Sequence, residues 1–161
     1  MYSRPQLKEF AEKTVRWPGH WQGVHALKEI GMLDIDPKDF QGKKIVPREF
    51  LLHLIVPKLK PGPGETDVCI MYNTLNGIKD GKKVRIEYFM WDEADTVNGI
   101  SSMMRATGYP VAVATKMMLA GEINGKGIVP PEDAITSELY PKFIEEMKKR
   151  NIDILEEITY L

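Results

Sequence analysis

The chain has 161 residues, 43% hydrophobic and 28% charged, with a formal net charge of −1. That size suits one domain able to bury roughly 68–70% of its unfolded surface, and the balanced charge supplies no global field for nucleic acid or anionic lipid. One cysteine, Cys69, excludes an internal disulfide and a CxxC metal knuckle, and no apolar run approaches the roughly 18 residues of a membrane span. With no secretory leader visible, the expected compartment is the cytoplasm, and neither nucleic acid nor membrane is an expected partner.

In chain order, residues 7–17 (LKEFAEKTVRW) have helical propensity, but Thr14-Val15-Arg16-Trp17 favours a strand, expected over about 12–17 and ended by Pro18-Gly19. From His20 onward Trp21, Val24, Leu27 and Ile30 recur three apart, one side of a helix that Gly31 would close. Residues 34–44 read as polar loop. VPREFLLHLIVPKL is a second helix with Pro47 near its first turn, an apolar face of Phe50, Leu51, Leu54 and Ile55, and Pro57 expected to end or kink it. KPGPGE, 60–65, is a linker.

The strongest local signal follows. Residues 67–78 and 83–91 are strand-like runs joined through Asp80-Gly81, a hairpin signature because both residues tolerate positive φ. Val84, Ile86, Tyr88 and Met90 share one face of the second run; Lys83, Arg85 and Glu87 face the other way, with Phe89 and Trp91 beyond them. Residues 99–123 form a long helix containing Gly108-Tyr109-Pro110, expected either kinked or split in two at that break. Pro130-Pro131 opens another helix, YPKFIEEMKKR is amphipathic, and DILEEITYL ends as a strand. The expected fold class is α+β, one domain over 1–161: a strand-helix-helix part (1–60), a hairpin (66–92), and the broken helix with C-terminal helices (98–161). The sheet is expected to include 12–17, 67–77 and 83–91, with helices mainly on one face.

Chemistry is sparsely written. There is no GxGxxG turn and no GxxxxGK[ST] loop; GEINGKG, 121–127, follows a helix instead of a strand. His20 and His25 are five apart, off one helical face, and no metal site is expected. Two spots remain. At Arg16-Trp17-Pro18-Gly19-His20 an arginine able to grip a carboxylate bidentately stands beside a helix start whose free N–H groups favour anions; the bland alternative is a surface arginine stacked on Trp17. In SSMMRATGYP, Arg105, Thr107 and Tyr109 precede the break; the bland alternative is an ordinary helix break with Met103, Met104, Met117 and Met118 as core filler.

Four segments, in order, carry a resemblance: KTVRWPGHW…LKEIGML, VPREFLLHLIVPKL, the KDGKK hairpin, and GISSMMRATGYPVAVATKMMLAGEINGKGIVPPE. They resemble the C-terminal domain of the saccharopine dehydrogenase-like oxidoreductases, from about Lys13 to Asn151, and TVRWPGH and MxRATGYP are the specific parts. The resemblance implies a substrate-binding and dimerising α+β half, preceded in the family by a Rossmann half that binds NAD or NADP. That half has no counterpart in these residues. The chain alone is therefore expected to bind no cofactor and to be inactive by itself, with NAD(P) held elsewhere in the enzyme or on a separate Rossmann-type subunit. The implied substrate is an amino acid of saccharopine or lysine type, oxidised at a carbon–nitrogen bond, and the implied assembly is a homodimer meeting at the hairpin sheet. Arg16 is matched to a carboxylate anchor and His20 to a nearby polar or proton-handling contact; no residue is matched to a catalytic base. Arg105, Thr107 and Tyr109 complete the expected substrate-binding set, with Arg16 and Arg105 expected to converge on one anion. The competing reading is a stand-alone, non-catalytic binding or dimerisation module.

Overall fold

The computed structural model describes residues 6–161. They form two compact units that divide between Lys60 and Pro61, inside the breaker-rich linker.

In the first unit, residues 7–17 adopt neither helix nor strand, so the strand expected over 12–17 is absent. A strand is stable only when a neighbour takes its N–H and C=O groups and a core takes one face. Here every residue from 6 to 17 is exposed, and Val15 and Trp17 are 86% and 88% accessible. Gly19, at φ 89, turns the chain into helix α1, His20–Glu29, with the His20 amide donating to the Trp17 carbonyl. That left-handed conformation is open to glycine and costly for a residue with a Cβ. The expected closure at Gly31 is present: Gly31 (φ 78) donates to Lys28 and Met32 donates to Leu27, the paired bonds of a Schellman ending. Of the expected stripe on α1, only Val24 and Leu27 are half-buried; Trp21 and Ile30 are exposed.

The segment read as polar loop contains a small antiparallel ribbon, β1 (Lys38–Phe40) with β2 (Lys43–Ile45). Gln41 and Gly42 turn it with φ of 52 and 79, and Asp39 accepts from the Gly42 amide at 3.1 Å. Three-residue strands are too short to show a period-2 pattern, and Gln-Gly is a weak turn signal, so sequence reasoning missed it. Helix α2, Pro47–Leu59, starts on Pro47 as expected and buries Leu51. Pro57 does not end it: the helix continues to Leu59, because a proline near a helix end removes only one bond in a turn already short of partners.

The second unit is built on the hairpin. Strands β3 (Val68–Lys79) and β4 (Lys82–Glu93) pair from Val68↔Glu93 to Lys79↔Lys82, with Asp80 and Gly81 at φ 53 and 75 in the turn. The third strand is not 12–17 but the C-terminal β5 (Leu155–Tyr160), antiparallel to β4, giving the order β3-β4-β5. Helix α3, Ser102–Leu119, is one helix with Pro110 inside it. A short α4, Pro131–Ala134, precedes α5, Tyr140–Lys148. Helix α3 packs on α5 and on both hairpin strands. Between them lies the core of Met90, Val113, Met117, Met147 and Ile152, bordered by Met71, Tyr109 and Phe143. Burying a side chain such as Met117 contributes roughly 1.5–3 kcal/mol. The face of β4 read from sequence is the inward one: Val84 and Met90 are buried, Ile86 and Tyr88 half-buried. The other face of the sheet leaves Ile70, Tyr72 and Trp91 more than half accessible, so the helices of this unit cover one face, as expected of this α+β sheet.

Candidate functional site

The expected site residues fall in both units: Arg16 and His20 in the first, Arg105, Thr107 and Tyr109 in the second. Each group has its own local geometry.

At the first corner the chain reaches α1 through an exposed aromatic pair. The rings of His20 and Trp21 meet edge-to-face with centroids 4.9 Å apart. Gly19 caps the helix without a side chain, and the first turn holds no acidic residue. The first helical bond runs from the Gly23 amide to the Gly19 carbonyl, so the amides of Trp21 and Gln22 precede it and lack a helical acceptor. Arg16 is exposed and forms no ion pair among the described residues. A positive helix end, an unengaged guanidinium and two exposed indoles (Trp17 and Trp21) are thus close in sequence, with no carboxylate among residues 13–21. This arrangement can receive an anion that carries apolar bulk.

The second group is arranged differently. Arg105 is buried, 8% accessible; its Nε lies 3.2 Å from Asp92 Oδ1 and its Nη2 donates to the Glu93 carbonyl. Its charge is committed inside the unit. Tyr109, one helical turn on, is half-buried against the core, whereas Thr107, half a turn from Arg105, is exposed. Helical periodicity therefore separates Thr107 from the other two. A cleft lined by Val113, Lys116, Met117, Glu122, Lys142 and Glu146 contains none of the expected residues.

Sequence reasoning missed the two aspartates that organise this end of the unit. Asp92 is 5% accessible, and its Oδ2 has no hydrogen-bond partner among the described residues. It continues the inward series Val84, Ile86, Tyr88, Met90, so period-2 extrapolation would have found a buried acid needing a cation. Asp67 caps α3: its oxygens accept from the Ser102 and Met103 amides at 2.6 and 2.8 Å, while Ser101 Oγ accepts from Met104 at 3.0 Å. Ser102, fully buried, donates to the Asp92 carbonyl at 2.7 Å. Burial pushes the Asp67 carboxyl up, but the bonds from Met103 and Ser102 outweigh it and hold the group below its ordinary value. Cys69 on β3 is half-buried, and burial, then the charges of Asp92 and Asp67, push its thiol up, away from the reactive thiolate.

The N-terminus of α3 does not fit the phosphates of the nucleotide cofactor that the resemblance implies. Among the described residues α3 is the helix that follows the long hairpin strands, after the loop that holds the Asp95–Ile100 bridge, and its first amides are already held by the Asp67 carboxylate, which would repel a phosphate. Among the described residues no cluster of His, Cys, Asp and Glu is grouped to hold a metal ion, and no helix is long and apolar enough to cross a membrane.

Comparison with known proteins matches residues 1–153 to the saccharopine dehydrogenase C-terminal domain. The chain is 32% identical over 151 residues to the mitochondrial alpha-aminoadipic semialdehyde synthase of Bos taurus, a match covering 91% of this chain and 15% of that protein. It is 29% identical over 136 residues to the NADP(+), L-glutamate-forming saccharopine dehydrogenase of Schizosaccharomyces pombe, covering 84% and 29%. It is 25% identical over 115 residues to the carboxyaminopropylagmatine dehydrogenase of Synechocystis, covering 68% and 28%. The chain therefore spans less than a third of the length of each of these relatives.

Proposed function

The chain belongs to the saccharopine dehydrogenase C-terminal domain family, and from that premise we propose that it is the substrate-binding and dimerisation part of an NAD(P)-dependent oxidoreductase acting on a carbon–nitrogen bond of an amino acid. The relatives named for saccharopine and aminoadipic semialdehyde chemistry favour a saccharopine- or lysine-type substrate. The observation that carries the reading is the exposed corner at the start of α1. Arg16 grips a substrate carboxylate, the α1 amides add donors, Trp17 and Trp21 cover the aliphatic part, and His20 makes the adjacent polar contact. The dinucleotide comes from a Rossmann partner, which these residues do not replace. Arg105 acts as a positioning residue: through Asp92 and Glu93 it ties α3 to β4, and α3 presents Thr107 to solvent and Tyr109 at the core's border. Two copies of the chain assemble through the sheet of the second unit.

Titration of the chain with L-saccharopine, L-lysine and L-glutamate, followed by amide chemical shifts, tests this. Saturable shifts at residues 16–22 are expected, with Arg16→Ala weakening binding about tenfold or more, the scale of one charge-assisted bidentate pair. Absence of shifts with all three compounds would defeat the substrate assignment. The stand-alone binding module remains as a second reading; it requires that addition of a separate Rossmann-type subunit and NAD(P) confer no turnover.

A further inference from the structure

The cleft between the C-terminal end of α3 and α5 has no part in the function proposed above. Val113, Lys116, Met117, Glu122, Lys142 and Glu146 line it. All six belong to the second unit, and α3 packs directly on α5, so this unit makes the cleft by itself. Its volume is about 200 Å³, below the roughly 300–1,000 Å³ of a site for a drug-sized molecule. It suits a molecule the size of one amino acid, and a dinucleotide is too large for it.

Val113 and Met117, both buried, give the cleft an apolar floor. Two lysines and two glutamates stand around it. Glu146 is engaged at both oxygens, Oε1 by Lys149 and Oε2 by Arg150, each at 2.8 Å. Lys142 is paired with Oε1 of Glu122. Two groups are left over. Glu122 Oε2 is buried and accepts no hydrogen bond among the described residues, a costly state for a carboxylate oxygen. The Lys116 side chain, in the last turn of α3, has no ion pair among the described residues. The helix adds a preference. Glu122 lies just beyond the negative pole of the 18-residue α3, its amide donating to the Met117 carbonyl at 3.0 Å, and a cation is favoured there. The buried acceptor and the helix end therefore both favour a cation that donates N–H, whereas Lys116 favours an anion.

We propose that this cleft binds a small aliphatic zwitterion, an amino acid held at both ends. Its ammonium donates to Glu122 Oε2, its carboxylate accepts from Lys116, and its chain lies on Val113 and Met117. An amine alone would leave Lys116 without a partner, and a carboxylate alone would leave Glu122 without one. The bound molecule links Lys116 on α3 to the Glu122–Lys142 pair that reaches α5. This site does not rest on the reading of the α1 corner, because it uses none of residues 16–22.

The test titrates the whole chain with 4-aminobutanoate, 5-aminopentanoate and 6-aminohexanoate, following amide chemical shifts. Pentanoate and pentylamine serve as one-ended controls. Saturable shifts are expected over 113–122 and 142–146 with the amino acid whose length fits, and binding about tenfold weaker with either control. Lys116→Met is expected to lower the amino acid to the affinity of pentylamine and to leave pentylamine unchanged. Glu122→Gln is expected to lower it to the affinity of pentanoate. Lys116 is exposed, so its variant keeps the fold and decides the matter even where Glu122→Gln unfolds. No shifts over 113–122 and 142–146 with any of the three amino acids would overturn the site. Pentylamine binding as tightly as the amino acid, or no effect of Lys116→Met, would overturn the zwitterion. The two sites fail separately: shifts at 16–22 report the proposed substrate corner, and Arg16→Ala is expected to leave those at 113–122 and 142–146 in place.

Discussion

The two units differ in how they treat their apolar residues. In the second, Met90, Val113, Met117, Met147 and Ile152 close a core, and a buried ion pair fastens the helix start to the sheet. In the first, Leu51 is the one buried residue among those described, α1 buries none, and Phe10, Val15, Trp17 and Trp21 remain more than half exposed. A long hairpin provides a surface on which helices can lay a stripe; a three-residue ribbon does not. The second unit has Arg105 locked inside, whereas the first presents Arg16 and two indoles to solvent.

That contrast can be attacked from the strong side first. Trp91 is the only tryptophan of the second unit, so in a Trp17→Phe/Trp21→Phe background its fluorescence reports that unit alone. Arg105→Ala leaves Asp92 buried without a partner and is expected to cost about 3–5 kcal/mol in urea unfolding; a loss below ~1 kcal/mol would mean the pair is not what fastens α3 to β4. Met117→Ala, which opens a cavity at a residue 3% accessible, is expected to cost about 2–5 kcal/mol.

Asp67→Asn should cost about 0.5–2 kcal/mol, the range for a helix cap, and should change the acid limb of the stability curve. Asp67 is held below its ordinary value when folded, so the unfolded chain binds more protons in acid. Its contribution is complete above the unfolded value near ~3.9 and is lost as pH falls through the folded one. The native chain should therefore lose stability more steeply below about pH 4 than Asp67→Asn; parallel curves would remove the carboxylate from the cap. Smallest of all, Trp17→Ala should change stability by less than ~0.5 kcal/mol, as expected of an exposed side chain, while weakening amino-acid binding. Amide exchange sharpens the same comparison: α1 should exchange well before α3, and equal protection would contradict the difference in burial.

By itself the sequence determined the hairpin and its inward face, because Asp80-Gly81 and the alternation Val84-Ile86-Tyr88-Met90 are local rules with short range. It also determined the Schellman ending at Gly31, the start of α2 at Pro47, the α+β class and the family. It did not determine the third strand. Residues 12–17 and 155–160 both have strand propensity, and only the position of α5, which delivers β5 alongside β4, decides which one finds a partner. Nor could it separate the two arginines. Arg16 and Arg105 read alike as cations beside helix signals, yet Arg105 is committed to Asp92 because β4 and α3 bring together residues 13 positions apart at one buried end. Pairing and burial depend on contacts distant in sequence, so the fate of a strand or a charge is settled by tertiary packing, while turns, caps and periodic faces are settled by neighbours in the chain.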